Sequence, residues 1–402
     1  MTETSTTCLI AGGGPAGMMA GYLLARSGVE VIVLEKHKDF LRDFRGDTIH
    51  PSTMEVMAEL GLLEDFLKRP HEEVRYAEGE IGSTRIRLAD FTHLATRCKF
   101  IAFMPQYEFL NFMAEKARAL PGFHLMMEAK ATHLLREGEK ITGVEIESAG
   151  VASAIKADLV ICAEGRHSQL RDEAGLKVKN LGAPMDVLWF RLDWHEGDSN
   201  AVFGRIEAGR ALVMLYRGDY WQCAYLIPKD GFEKVKREGL DAFRADVALM
   251  AKRGNANEIK DWDDVRLLTV AVDRLEEWSL PGLLFIGDAA HAMSPIGGIG
   301  INLAIQDAVA TANILAEKLR GGSVSFADLK RVQKRRQFPT WATQAFQVIA
   351  QNNVIDPVLK RDTTPNVPAI VKLMQRWTFL QRIPARLIGM GFRPEHVKTR
   401  AA

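Results

Sequence analysis

Apolar residues recur along this chain in three patterns, and each predicts a different element. The first is a short unbroken run. Cys8-Leu9-Ile10-Ala11 is too short for a helix and apolar throughout, so it predicts a strand buried on both faces of a parallel sheet. Val31 to Leu34 repeats the pattern and ends at Glu35, and Leu283 to Ile286 repeats it and ends at Gly287-Asp288. Between the first two runs, Met18 to Ser27 has helical character and is closed by Gly28. The second pattern is helical spacing. In "FMPQYEFLNFMAEKA" it turns Leu110, Met113 and Ala117 inward, and after Ser52 it carries Met54, Met57 and Leu60 on a helix expected to start at that serine. The third is alternation. Residues 181 to 270 set short apolar segments between turns ("MDVLWFRLDW", "NAVFGRIEAG", "RALVMLYRGD", "YWQCAYLIPKD"), which predicts an antiparallel sheet. Strand alternation puts Met214 and Tyr216 on one face, and Gln222, Ala224 and Leu226 on one face of the next strand. After residue 320 the chain reads as helical and basic.

At 402 residues the chain exceeds the usual single core, so two domains or one elaborated domain is expected. Its 52 Lys and Arg nearly cancel its 51 Asp and Glu, which argues against nucleic acid as the main partner. Cys8, Cys98, Cys162 and Cys223 are scattered without a CxxC pair and predict reduced, buried thiols, with neither a disulfide frame nor a metal site. The first residues lack a signal peptide's basic start, and no run of about 18 apolar residues suggests a transmembrane segment. A cytoplasmic enzyme is the expectation.

The loop after the first strand carries candidate chemistry. In Gly12-Gly13-Gly14-Pro15-Ala16-Gly17, Gly12 allows a tight turn, Gly14 lets backbone approach a pyrophosphate, and Gly17 lets the helix pack on the strand. Pro15 and Ala16 open a helix whose N-terminal N–H groups and dipole suit phosphate. Glu35, followed by Lys36, stands 18 residues beyond Gly17 and suits a ribose diol. The loop alone leaves NAD(P) and FAD both open.

Two further segments carry a resemblance. Gly287-Asp288-Ala289-Ala290-His291, with Pro295, Gly298, Gly300, Asn302 and Asp307-Ala308, resembles the GD motif of class A flavoprotein monooxygenases of the para-hydroxybenzoate hydroxylase type. Cys162-Ala163-Glu164-Gly165-Arg166, running on to Arg171, resembles the same family's DG motif, with Glu164 where aspartate is usual. The likeness covers the chain from residue 8 to about residue 345. It implies an α/β protein: a Rossmann-like FAD-binding domain with an antiparallel β-sheet substrate domain and C-terminal helices. The expected division is 1–70, 100–180 and 270–345 for FAD, 71–99 and 181–269 for substrate, and 346–402 for the helical end.

The resemblance also assigns residues. FAD, tightly but non-covalently bound, would have its ADP end at Gly12 to Glu35 and its flavin end at Asp288, Pro295, Gly298, Gly300, Ile301 and Asn302. Asp288 at a strand's carboxyl end can accept ribityl hydroxyls, and the helix after Gly300 aims its positive end at a reduced flavin's anionic edge. Arg45 matches a position near the flavin, Gln106 one that holds FAD, Ala131 one whose backbone approaches adenine, and Glu164 one in contact with FAD and the pyridine nucleotide; Arg166 is a candidate phosphate partner. Tyr216 and Gln222 are expected to face substrate with Trp221 and Tyr225 behind, the alternative being that these aromatics pack on the other domain. Arg45, Tyr216, Gln222 and Pro295 make up the expected reaction space, and no acid or base is named. His291 and Asp307 are expected to be structural, and Asn302 serves either the cofactor or as its own helix's cap.

The implied reaction is NAD(P)H-dependent hydroxylation, by O2 through a flavin C4a-hydroperoxide, of a small phenolic or N-heteroaromatic substrate; a homodimer is usual among such enzymes. Alternatives are a halogenase, a reductase of the same fold, or a flavin-bound scaffold. Cys223 and Tyr225 occupy the tryptophan positions of the halogenase Trp-x-Trp-x-Ile-Pro stretch, which counts against the first. From Val371 onward seven Lys and Arg face one Glu: a membrane-surface or partner-binding tail, or, preferred, helices packed on the flavin domain or a dimer mate.

Overall fold

The computed structural model describes residues 4–41, 48–196, 203–360, 363 and 366–402. Two sheets organise it. The larger has eight strands, and its central order runs Leu283–Phe285, Val151–Cys162, Thr4–Ala11, Val31–Glu35, Phe123–Met127, all parallel. Leu9 pairs with both Val160 and Ile32, so the first apolar run lies mid-sheet. Cys8, Leu9 and Ile10 are fully buried because helices cover one face and an antiparallel layer, 129–162, folds over the other. The helix Pro15–Arg26 connects the first two strands and packs on the helices Gln106–Arg118 and Gly300–Arg320.

That last helix has the apolar length to cross a membrane, counted from Ile296 to Arg320, but 78% of its most apolar window is buried inside the protein. Ile305, Val309 and Leu315 join Met18, Met19 and Leu23 in the largest core.

The second sheet has seven strands: Arg266–Leu268, Met185–Asp193, Tyr220–Pro228, Arg210–Tyr216, Phe203–Glu207, Tyr76–Ile81 and Thr84–Asp90, in that spatial order. Its pairings are antiparallel except one, since Phe203–Glu207 runs parallel to Tyr76–Ile81. Two corrections follow. Residues 232–251 lie within the stretch read as sheet, yet they form the helices Phe232–Glu238 and Leu240–Ala251. Leu240, Phe243, Val247 and Met250 share one helical stripe there, and the buried Phe243 meets Phe190 and Tyr225 edge-on, each at 5.6 Å. Likewise the helix expected to start at Ser52 spans Pro51–Glu59 with His50 before it, because proline fits a first helical position.

Candidate functional site

Only glycine fits two points of the N-terminal loop. Gly12 has φ +111°, and a Cβ there would sit 2.4 Å from the Ala163 carbonyl oxygen. A Cβ on Gly17 would sit 1.9 Å from the Gly12 carbonyl oxygen, so the helix rests directly on the turn. Gly14 is different: among the described residues no atom lies within 4 Å of where its Cβ would be. It precedes Pro15 and offers no side-chain cap, so no side chain caps the first N–H groups of the helix, at Ala16 and Gly17. Glu35 closes the cradle, with Oε2 3.1 Å from the Cβ position of Gly13. Its Oε1 accepts from the His37 N–H at 3.0 Å, and Lys36 beside it is exposed.

The fold brings the second loop against the first. A Cβ on Gly287 would lie 3.1 Å from that of Ala16 and 3.2 Å from that of Ala304, so the GD turn wedges between the starts of two helices. Asp288 is partly exposed there, and its Oδ1 lies 4.0 Å from the Cβ position of Gly300. Arg166, a candidate phosphate partner, instead donates from Nη2 to Asp288 Oδ2 at 3.3 Å. Its Nη1 is buried without a hydrogen-bond partner among the described residues. Pro295 opens the turn Ile296–Gly298, and its carbonyl accepts from Gly298 N–H at 3.0 Å. Gly300 and Ile301 form the first turn of the long helix, without a side-chain cap among the described residues.

The Asn302 side chain is fully engaged by protein. Its Oδ1 accepts from His50 N–H and Thr53 Oγ1, both at 2.8 Å, and its Nδ2 donates to the carbonyls of Thr48 at 3.0 Å and Gly298 at 3.3 Å. It thus serves the entry of the neighbouring helix Pro51–Glu59 and not the cap of its own. Thr48 and His50, which nothing in the local sequence marks, tie the turn Ile296–Gly298 to the helix Pro51–Glu59 through Asn302.

Glu164 also turns inward. Its Oε2 accepts from Ser168 Oγ at 2.7 Å and Leu170 N–H at 3.3 Å, fixing the start of the helix Gln169–Ala174, while its backbone N lies against Gly12. Gln106 is the first, half-buried residue of Gln106–Arg118. Ala131 is a buried strand residue packed in the core that holds Leu9 and Leu34. Arg45 lies outside the described residues.

Beneath the second loop lies a buried charge cluster. Asp307 is fully buried and accepts from Gly287 N–H at 3.1 Å; it pairs with His291 Nε2 at 2.6 Å and Arg336 Nε at 2.9 Å. Burial alone would push its carboxyl up, but the His291 ring and the Arg336 guanidinium outweigh that and hold it below the usual carboxylate range. His291 and Asp307 are therefore supports of the loop, as expected of them. Arg336 was not expected, because "KRVQKRRQF" gives no local sign of which arginine turns inward.

The second sheet separates the two expected substrate residues, which cannot both face one pocket. Leu215 pairs with Gln222, whereas Tyr216 pairs with Trp221, and residues directly opposite share a face. Tyr216 and Gln222 therefore point to opposite faces. Tyr216 lies on the helix-covered side, its ring 5.6 Å from Trp221 and 6.1 Å from Trp194, and its hydroxyl donates to Gly218 O. Gln222 is on the other face, where its Oε1 accepts from Arg217 Nε at 3.1 Å and the Arg217 guanidinium lies 5.5 Å from the Phe103 ring. On that face Val187, Val213, Ala224 and Leu226 pack with Ile296 from the Pro295 turn. The chain thus sets an apolar floor against a glycine-rich loop. Among the described residues no His, Cys, Asp and Glu cluster could hold a metal.

These features fit FAD: a glycine cradle open where a pyrophosphate would lie, an acid at its ribose end, and a second loop with an accessible carboxylate and an uncapped helix start. A family model described as FAD binding domain matches residues 5–345. The 6-methylpretetramide 4-monooxygenase of Streptomyces rimosus is 32% identical over 352 residues, covering 86% of this chain and 83% of that protein. Among solved structures, the p-nitrophenol 4-monooxygenase PnpA of Pseudomonas putida DLL-E4 superposes with a TM-score of 0.75 at 19% identity, covering 96% of both chains. CmlS, a flavin-dependent halogenase, gives 0.74 at 19% identity over 98% of this chain and 74% of its own, so the fold is shared beyond hydroxylases. With cradle, second loop, family match and relatives in agreement, this chain belongs to the class A FAD-dependent aromatic monooxygenases and is an FAD-binding oxidoreductase.

Proposed function

We propose that this protein is a single-component monooxygenase that consumes NAD(P)H and O2 to hydroxylate a small neutral aromatic, phenolic or N-heteroaromatic. The observation that carries the reading is the apolar sheet face of Val187, Val213, Ala224 and Leu226 packed against Ile296 of the flavin-side loop. A flat ring held there is bordered by Pro295 and Gln222 and shielded from water. When bound, FAD would supply the redox chemistry, in which two electrons from NAD(P)H reduce O2, one oxygen atom enters the ring and the other leaves as water.

The chain's own residues bind, orient and exclude solvent. Gly14 admits the pyrophosphate and Glu35 takes the ribose diol. Asp288, held by Arg166, accepts ribityl hydroxyls, and the N–H groups from Gly300 to Asn302 offer positive potential to an anionic ring edge. On the same reading, residues 1–70, 100–180 and 270–345 carry the cofactor, 71–99 and 181–269 the substrate, and 346–402 complete the enzyme, which works in the cytoplasm as a homodimer. The relatives' names support an aromatic substrate, one of them naming a phenol.

A halogenase is disfavoured, since Cys223 and Tyr225 stand at its tryptophan positions and are packed against the helix Leu240–Ala251. The test is aerobic NAD(P)H oxidation by the yellow protein across a panel of phenols and N-heteroaromatics under isotopic O2. Substrate-stimulated oxidation with one labelled oxygen in the product is expected. Product formed without O2, or chlorinated product when halide is present, would overturn the hydroxylase reading.

A further inference from the structure

The last helices leave an apolar ridge uncovered. The helix Ala369–Arg376 buries none of its own residues, and Ile370, Leu373 and Trp377 are between 44% and 62% exposed. Phe379 and Ile383 extend the ridge at 55% and 59% exposure, and the Trp377 and Phe379 rings meet edge-on at 6.1 Å.

The exposure is built in. Gln375 grips the sheet's edge strand twice: its Oε1 accepts from Arg87 N–H at 3.2 Å and its Nε2 donates to Arg87 O at 2.7 Å. At about 100° per residue, Ile370, Leu373 and Trp377 lie on the far side of the helix from Gln375. The contact that docks the helix therefore points its apolar face outward. Of the two expectations for this end of the chain, packing on the flavin domain leaves this face uncovered, and a membrane surface, a partner or a dimer mate could cover it.

Charge decides what covers the ridge. Lys372, Arg376, Arg382 and Arg386 flank it, and the sequence has no Asp or Glu from 363 to 394. Glu78, on the strand beside the edge strand, is engaged by Arg85 and Arg87. A second copy docked on this face would set cations against cations, which disfavours a symmetric dimer there. Aromatic and aliphatic side chains with cations beside them match the interface of an anionic bilayer, where rings sit at headgroup depth and cations meet lipid phosphates.

We propose that the ridge Ile370–Leu373–Trp377–Phe379–Ile383 with its flanking cations is a docking surface for an anionic lipid bilayer. The surface lies close to the flavin-side loop. His50 Nδ1 hydrogen-bonds the Ile388 carbonyl at 2.7 Å, and an Ile388 methylene carbon lies 3.8 Å from the Cβ position of Gly297.

The test uses the FAD-loaded full chain and no turnover, so its outcome is independent of the substrate reading. The protein is sedimented with vesicles of phosphatidylcholine alone and of phosphatidylcholine mixed with phosphatidylglycerol. Binding to the mixed vesicles only is expected, and raised salt should abolish it. Lys372→Gln with Arg376→Gln removes two cations and should weaken binding about 25-fold, roughly fivefold for each. Leu373→Glu with Trp377→Glu should abolish sedimentation while flavin absorbance and melting temperature stay unchanged. Sedimentation with neither vesicle, or equally with both, overturns the proposal. So does a vesicle-free dimer that the glutamate variant dissociates, which would make the ridge a subunit interface.

Discussion

Replacing Asp307 by asparagine keeps the shape of the side chain and removes the charge that its neighbours share. Asp307 and Arg336 are 0% and 1% exposed, so neither can exchange its partner for water. With Asp307 neutral, Arg336 keeps as its anionic partner among the described residues only Glu395, at 3.4 Å from Nη1. Breaking a buried pair from one side costs about 3–5 kcal/mol, mostly the penalty of stranding the remaining charge. Because the Glu395 contact survives, about 3 kcal/mol is the expected loss, read as the shift in urea midpoint of the flavin-free protein. FAD retention should fall as well, since Asp307 also holds the Gly287 N–H that sets the Asp288 turn. Arg336→Met with Asp307→Asn should cost less than the sum of the two singles. Acid should act in the same direction. The carboxyl is held below its ordinary value of 3.8, so its stabilisation is complete above that pH and lost as pH falls through the lower native value. A shift under about 1 kcal/mol that simply adds to that of Arg336→Met would refute this account of the cluster.

Three other outcomes follow from the same structure. Gly14→Val meets open space and should leave the melting temperature of the flavin-free protein unchanged while abolishing FAD binding; Gly17→Ala meets the Gly12 carbonyl at 1.9 Å and should lower both. Burial pushes the Cys8, Cys162 and Cys223 thiols far up and Cys98 up to about 11, so a disulfide reagent at neutral pH should find no reactive thiol until the chain is unfolded. Burial lowers His50 from 6.5 to about 4, although its bond to the Ile388 carbonyl opposes the shift. The unfolded chain thus binds a proton that the native one refuses. Roughly 3 kcal/mol should be lost as pH falls from 6.5 to 4, and His50→Gln should flatten that slope in denaturation curves.

Much of the framework was readable from local sequence because its causes are local. A parallel strand covered on both faces needs an unbroken apolar run, so Cys8 to Ala11 and Leu283 to Ile286 announce themselves. A turn and a close approach that only glycine allows are visible as Gly12 and Gly17, and the resemblance of the second loop to the GD motif implied one cofactor spanning both. Alternation also told correctly which residues share a face within one strand.

What alternation could not supply was the register between strands. The pairing of Leu215 with Gln222 sends Tyr216 to the helix side, and that pairing depends on the whole sheet and the hairpin between its strands. The stripe of Phe243, Val247 and Met250 was masked by its position in a stretch otherwise made of strands. Partners far apart in sequence were equally hidden. Asn302 binds Thr48, His50 and Thr53 about 250 residues away, and Asp307 selects Arg336 from a run of similar cations. The sequence by itself determined the cofactor cradle and the layers that carry it, since backbone sterics and hydrophobic periodicity act between near neighbours. Only the tertiary structure decided which polar groups are satisfied by protein and which residues of neighbouring strands share a face, because burial and pairing are properties of the assembled chain.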